Sequence, residues 1–262
     1  MLHRLIQSFK QINLLAEPTL RHYWVYLRAL YYIRFRKRLR TLDSGEAVKA
    51  NVLHNMRSIY GANRRMNLLL FPLAVIETLD ANSRILIIGP RNEFDIYSLA
   101  GLGFSIENIV GLDLISYSPY ITLGDMHSIP FGDQSFDAVV CGWTLSYSTN
   151  PRRAALEMLR VVRPGGIVAV GVEYSRLRPD EEMKLLGYQL QEFDKIGKRI
   201  NSTADVKALF EAGIGHVYFE HDAPRRVSHS GEGLARNVSN VALVFSRATV
   251  QAEPTAQGDA LP

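Results

Sequence analysis

Four residues able to engage a ligand each follow a short apolar run. Gly89 follows Ile85-Leu86-Ile87-Ile88, Asp113 closes Ile109-Val110-Gly111-Leu112, Asp125 comes just after residues 120–123, and Cys141 ends Phe136-Asp137-Ala138-Val139-Val140. A glycine lets backbone approach a ligand closely, and a carboxylate offers acceptor oxygens only. His127, Tyr147 and Tyr174 lie near the same run ends and could act as general bases, although packing or solvent exposure is the plainer reading of each. Cys141 is the only cysteine, so the chain has no internal disulfide and no multi-cysteine zinc site; no metal is expected.

These residues need a frame to bring them together. Continuous apolar runs bounded by turn residues are buried parallel strands. Strands are expected at 84–88, 109–113, 120–123, 136–141 and 167–172, with later ones near 216–219 and 241–245. Helices are expected between them, over 94–102 and from Asn150-Pro151, a good N-cap and first-turn pair, to about Val162. Arg163-Pro164-Gly165-Gly166 reads as a turn, and further helices are expected near 180–198 and 202–212. The alternation predicts a parallel sheet covered on both faces, with ligands at the carboxyl ends of the strands. Gly89, Asp113, Asp125 and Cys141 all fall at those ends.

Four segments together resemble the class I S-adenosylmethionine-dependent methyltransferases, of the methyltransferase type 11 kind. They are Ile85-Leu86-Ile87-Ile88-Gly89, Gly111-Leu112-Asp113, the string Gly124-Asp125-Met126-His127-Ser128-Ile129-Pro130-Phe131-Gly132-Asp133-Gln134-Ser135-Phe136-Asp137, and Arg160-Val161-Val162-Arg163-Pro164-Gly165-Gly166. The resemblance covers residues 83–175 and rests mainly on the third and fourth segments. It implies an α/β fold, a Rossmann-like, doubly wound, mostly parallel seven-stranded sheet, here with an N-terminal helical extension. It also implies S-adenosylmethionine as cofactor. Asp113 would then accept from both ribose hydroxyls, with Leu114 beside it, and Asp125 would take the adenine amino group with Met126 against the ring. The backbone at Cys141, Gly142 and Trp143 would line the methionine arm, with the Trp143 side chain as a wall of the cofactor or acceptor pocket or as simple packing. Asp137 is read as structural, a support for the start of its strand.

Two departures stand out. Ile87 replaces the acid that usually precedes the first glycine, and Pro90, Arg91, Asn92 and Glu93 replace the rest of the usual loop. Gly89-Pro90-Arg91 also lacks the G-x-G-x-x-G turn of nicotinamide enzymes. Within this loop Glu93 is expected to hold the cofactor's ammonium and Arg91 its carboxylate, with an Arg91–Glu93 surface pair as the alternative. Only 11 residues separate Asp113 from Asp125, and Pro119 lies among them, so the usual crossover helix gives way to an extended loop.

The chain is 262 residues long, with 47% apolar and 21% charged residues, the composition of a soluble globular protein. Its net charge of +4 is uneven: residues 1–80 carry 13 Lys/Arg and 5 Asp/Glu, a net of +8, and the remainder carries −4. The organisation read from this is a basic, aromatic helical extension over 1–80, a cofactor-binding methyltransferase domain over 81–250 and a disordered tail over 251–262. In the extension, Leu15, Leu20, Tyr23, Leu27 and Leu30 recur at helical spacing, with Tyr31, Phe35 and Leu39 continuing the face, and 67–79 is a second helical stretch containing Pro72. Residues 20–40 mix aromatic and basic side chains. They suit either an interfacial helix on a membrane or a helix packed on the core with its arginines snorkelling outward. No secretory signal or spanning segment is read, so the expected location is cytoplasmic, with peripheral contact at the inner membrane face through 20–40. The expected function is methyl transfer to a small-molecule or glycan acceptor, with no catalytic residue assigned. The alternatives are a non-catalytic interaction or regulatory protein of the same fold and, as an unlikely third, a nucleic-acid methyltransferase using the basic run from Arg34 to Arg40.

Overall fold

The computed structural model describes residues 17–42, 56, 59–61, 64–175, 199–222 and 238–249. The helix expected near 180–198, the tail at 251–262 and Leu15 lie outside them. Seven strands form one sheet: β1 Ile85–Ile88, β2 Ile109–Asp113, β3 Ile121–Leu123, β4 Phe136–Gly142, β5 Val162–Ser175, β6 Ile214–His221 and β7 Val238–Arg247. Their order is β3-β2-β1-β4-β5-β7-β6. All neighbours pair in parallel except β7, which runs antiparallel to both β5 and β6. The expected doubly wound, mostly parallel sheet is what forms.

Both faces of the central strands are buried, which explains their unbroken apolar runs. Leu86 and Ile88 of β1 join one core cluster with Val139, Met158, Val168 and Phe245, while Ile85 and Ile87 join a second with Leu69, Ile96, Val140 and Ala169. Helix α3, Phe94–Gly101, and helix α4, Pro151–Val161, lie where expected. Asn150 caps α4 by accepting from the Arg153 N–H at 3.0 Å. Helix α5, Thr203–Phe210, starts on the Ser202 side chain, which accepts from the Asp205 N–H. Helix α2, Asn67–Leu73, stops well short of residue 79, because Pro72 removes a donor in its last turn.

The two most telling sequence strings hold each other. Arg160 on α4 donates through Nη2 to the Ile129 carbonyl and through Nη1 to the Phe131 carbonyl, both at 2.9 Å. It also pairs with Asp133 and with Glu157, and Glu157 in turn accepts from the Ile129 N–H at 2.8 Å. Next, Val162 pairs with Phe136 and Ile167 with Ala138, so residues 163–166 loop out opposite Asp137 alone. The excursion needs Gly165 at φ +74°, and at Gly166 any Cβ would sit 2.8 Å from the Asp137 carbonyl oxygen. The expected turn is therefore a bulge inside β5. Asp137 anchors it by pairing with Arg163 at 2.6 Å while accepting from the Arg84 N–H at 2.7 Å.

The shortened crossover is also explained. β3 pairs only with residues 111–113, so the chain returns a short way along β2 and needs no helix to span it. Ile115–Ser116 pair instead with Arg40–Thr41 in a small antiparallel ladder. The N-terminal helix α1, Pro18–Leu30, continues as a π turn over Tyr31–Phe35, and the chain leaves through Lys37 at φ +48°. Leu39 thus does not extend the helix. It packs with Ala29, Ile59, Ile115 and Tyr117, covering the edge that a crossover helix would otherwise cover.

Replacing Arg160 by Ala leaves two loop carbonyls and Glu157 without their charged donor, and is expected to lower stability by about 2–3 kcal/mol in urea unfolding. Arg160→Lys is expected to recover little, since one ammonium cannot reach both carbonyls and the carboxylates in the arginine's planar geometry.

Candidate functional site

A cleft opens at the carboxyl ends of β1, β2, β3 and β4. It is lined by Gly89, Pro90, Arg91, Asp113, Leu114, Asp125, Met126 and Trp143, all expected from sequence. Asn92, Phe94, Asp95, His127, Gly142, Thr144, Tyr147 and Thr149 line it as well, with Gly61 and Arg65 from the N-terminal part. Of the three candidate bases, Tyr174 lies outside the lining.

The first loop is built by tight contacts. Gly89 leaves β1 at φ +70°, and a Cβ there would fall 2.0 Å from Thr144 Oγ1, so no other residue fits. Pro90 then packs over Gly111, where a Cβ would lie 2.9 Å from the proline Cγ. Arg91 takes φ +58°, unusual for a non-glycine residue. That conformation aims its N–H at Asp113 Oδ2, at 2.7 Å. Asp113 Oδ1 accepts from the Ile115 N–H at 3.2 Å. Burial pushes the Asp113 carboxyl up to about 6, against the lowering effect of the Arg91 and Ile115 backbone donors.

Two site expectations are corrected. Glu93 does not reach the cleft. It is fully buried behind it, where Arg28 of α1 grips it through Nε at 2.6 Å and Nη2 at 2.9 Å. Ser118 Oγ donates to the same carboxylate. The Arg28 guanidinium lies within 6 Å of the Trp24, Tyr32, Tyr97 and Tyr120 rings, an aromatic surround that suits a partly desolvated cation. An Arg91–Glu93 pair does not form in its place. Cys141 is the second correction: its side chain points into the core, and burial pushes its thiol up to about 12. Gly142 and Trp143, expected with it, do line the cleft, as does Thr144 beyond them.

Sequence reasoning missed Asp95. It sits in the first turn of α3 and lines the cleft, and burial pushes its carboxyl up to about 7, with Arg91 and Arg21 acting in the opposite sense. Three buried polar atoms of lining residues make no hydrogen bond in the described residues: Asp95 Oδ1, Arg91 Nε and Trp143 Nε1. A buried polar atom left unpaired costs about 1–3 kcal/mol. One acceptor and two donors stranded around a single cleft fit a polar ligand carrying both charges. The donor set therefore suits the amino-acid end of S-adenosylmethionine, while Asp113 and Asp125 suit its nucleoside end.

The far wall is also ordered. Asp125 Oδ1 accepts from the His127 N–H at 2.9 Å and faces His127 Nδ1 at 2.6 Å, and this contact holds the Asp125 carboxyl below its usual range. His127 Nε2 lies 2.7 Å from Ser148 Oγ, so both ring nitrogens are engaged. Arg65 stacks 4.9 Å over the Trp143 ring and pairs with Glu173 of β5. Asn92 ties the loop to the N-terminal part by donating to the Ile59 and Gly61 carbonyls at 2.9 and 2.7 Å. Among the described residues no cluster of three or more His, Cys, Asp or Glu could hold a metal.

Comparison with known proteins agrees with the fold. Residues 98–170 match a family model described as a methyltransferase domain. Over 122 residues the chain is 34% identical to the biotin biosynthesis bifunctional protein BioHC of Teredinibacter turnerae, covering 45% of this chain and 20% of that protein. Over 77 residues it is 38% identical to a demethylmenaquinone methyltransferase of Desulfitobacterium hafniense, covering 27% of this chain and 30% of that enzyme. The chain thus spans less than a third of the length of these relatives. Among solved structures, a chain from the complex between the Haloferax volcanii Trm112 methyltransferase activator and a methyltransferase shares the fold. Its TM-score is 0.52 at 17% identity, covering 78% of this chain and 97% of that one.

Truncating Arg28 to Ala would leave the Glu93 carboxylate buried without its counter-ion, and is expected to cost about 3–5 kcal/mol in chemical denaturation. The double variant R28A/E93Q is expected to lose clearly less than the sum of the two single losses, the sign of direct coupling in a double-mutant cycle.

Proposed function

The chain has the class I S-adenosylmethionine-dependent methyltransferase fold, and we propose that it binds that cofactor in the cleft beside Gly89 and Asp113 and transfers its methyl group to a small-molecule acceptor. The observation that carries this reading is the set of polar atoms around the cleft: two carboxylates at the ends of β2 and β3, and the stranded trio on Asp95, Arg91 and Trp143. The relatives named for methyl transfer to demethylmenaquinone favour a small-molecule acceptor over a macromolecular one.

In this reading Asp113 accepts from the ribose hydroxyls, and its Oδ2 is held in place by the Arg91 N–H. Asp125 receives the adenine amino group, with His127 fixing the carboxylate's orientation. Leu114 and Met126 give apolar walls to the ring. Asp95 takes the ammonium, the part expected of Glu93, and Arg91 Nε takes the carboxylate. The bound cofactor would supply an already electrophilic methyl on a sulfonium. The protein's work is then to align an acceptor with that methyl and to keep water out. Arg65, stacked on Trp143 and anchored to Glu173, closes one side of the cleft. His127, engaged at both nitrogens, acts here as a positioning residue rather than as a base.

The buried acids give the test a pH signature. With folded values raised to about 6 for Asp113 and about 7 for Asp95, the folded chain holds their protons more tightly than the unfolded chain. The ligand-free protein therefore loses stability as pH rises from about 4, the unfolded value, through that window. A ligand offering a diol and an ammonium prefers the ionised carboxylates. Calorimetric affinity for S-adenosylmethionine and for its demethylated product is accordingly expected to rise between about pH 5.5 and pH 8. Asp95→Asn is expected to weaken binding about tenfold or more and to flatten the upper part of that rise, and Asp113→Asn the lower part. Absence of binding heat and of thermal stabilisation with either ligand would assign the fold to a non-catalytic role.

A further inference from the structure

Helix α1 is amphipathic in the reverse of the usual sense. Its inward face carries Arg21, Val25, Arg28 and Ala29. Arg21 is only 6% exposed and lies 5.0 Å over the Phe94 ring, while Arg28 grips Glu93. The outward face carries Leu20, Tyr23, Trp24, Leu27 and Tyr31, spaced to form one stripe along the helix, with Tyr26 on its flank. Tyr23 is 62% exposed, Leu27 58% and, just beyond in the π turn, Phe35 72%. The arginines of this helix therefore do not snorkel outward; the apolar side chains do. Scattered exposed apolar residues are ordinary, but a contiguous stripe marks a contact surface.

The segment that follows identifies the chemistry of the contact. Arg34, Arg36, Lys37, Arg38 and Arg40 are all exposed, and none forms an ion pair among the described residues. Residues 18–42 contain no Asp or Glu at all. A tryptophan, three tyrosines and two leucines beside five exposed cations are the composition of a helix lying in a lipid headgroup region. A nucleic acid would meet the cations but would leave the leucines and Phe35 in water. No helix among the described residues is long and apolar enough to cross a membrane, so contact would be along the surface.

We propose that the outward face of α1, with the basic turn that follows it, docks this protein on an anionic lipid bilayer. The tyrosines and Trp24 would sit at headgroup depth, with Leu20, Leu27 and Phe35 deeper. Arg34, Arg36, Lys37, Arg38 and Arg40 would lie against lipid phosphates, each adding to affinity in a salt-dependent way. The opposite face of the same helix holds Glu93 and Phe94, at the entry to α3, so the docked surface lies one helix away from the cleft wall. This inference stands on the helix alone and does not require cofactor binding.

The test is sedimentation of the full chain with phosphatidylcholine vesicles, with and without phosphatidylglycerol, at low and high salt. Binding is expected only with the anionic lipid and is expected to fall with salt. The variant Y23S/W24S/L27S, and separately R36E/K37E, are each expected to weaken it about tenfold or more. Tyr23 and Leu27 face outward, whereas Trp24 also touches Arg28, so the double variant Y23S/L27S, expected to weaken binding in the same way and to keep the folded melting transition, serves as the control. The chain has two tryptophans, and Trp143 is buried, so a blue shift of fluorescence on adding vesicles would report Trp24 entering the interface. Equal binding by wild type and variants would overturn the proposal, as would no binding to anionic vesicles. A wild-type dimer by light scattering that Y23S/W24S/L27S converts to monomer would overturn it too, by showing a second copy on that face.

Discussion

Burying an ionised carboxylate is costly unless an opposite charge is buried beside it, and in this chain Glu93 meets that demand with a partner far along the chain. Glu93 lies at the junction between the β1 loop and α3, and its partner Arg28 comes from a helix 65 residues earlier. Because removing either charge strands the other, the N-terminal helix cannot leave the domain without a large cost. The pair also sets the loop in front of it. Asn92, next in sequence, bonds to Ile59 and Gly61 and caps α3 through the Phe94 N–H, and Arg91 then has its backbone turned toward Asp113. The cleft's most constrained corner is thus shaped from behind, by a part of the chain that contributes little to its surface.

This explains how a glycine-poor loop manages a turn that other members of the fold make with several glycines. Only Gly89 meets a steric wall that forbids a side chain, at Thr144. The remaining loop positions rely on a left-handed Arg91 held by hydrogen bonds on both sides, a conformation that costs energy but is over-determined by its surroundings. The missing crossover helix follows the same logic. α1, Leu39 and the small ladder at Arg40–Thr41 cover the rebuilt edge of the sheet, so the N-terminal extension substitutes for an element that the short β2–β3 connection cannot provide.

The parts of the fold legible in the sequence were those decided by local signals. Strands β1, β2 and β4 are continuous apolar runs because both sheet faces are covered, and Asn150-Pro151 announces α4 through capping chemistry alone. The acid at the end of β2 was legible for the same reason, since strand ends set the site. What the sequence hid were partners distant along the chain. Nothing near Glu93 says that an arginine from α1 will claim it, so its charge pointed toward the ligand when it in fact faces inward. Asp95 was overlooked because one acid in a helix first turn ordinarily serves the helix end; only its burial and its unpaired oxygen distinguish it. Cys141 was placed one residue too far into the cleft: the lining begins at Gly142, just past the strand position whose side chain joins the core. The direction of α1 reversed the usual rule: buried Arg21 and half-buried Arg28 turn inward, and the apolar stripe turns out.

The seclusion of that cysteine has a practical side. The whole chain carries a single thiol, sealed in the core and held protonated well above neutral pH, so it offers no thiolate to alkylating reagents or oxidants. The native protein is in effect a silent background for thiol chemistry. A cysteine introduced anywhere on its surface would be the sole reactive one, allowing a spin label or fluorophore to be placed at one chosen position without first removing anything.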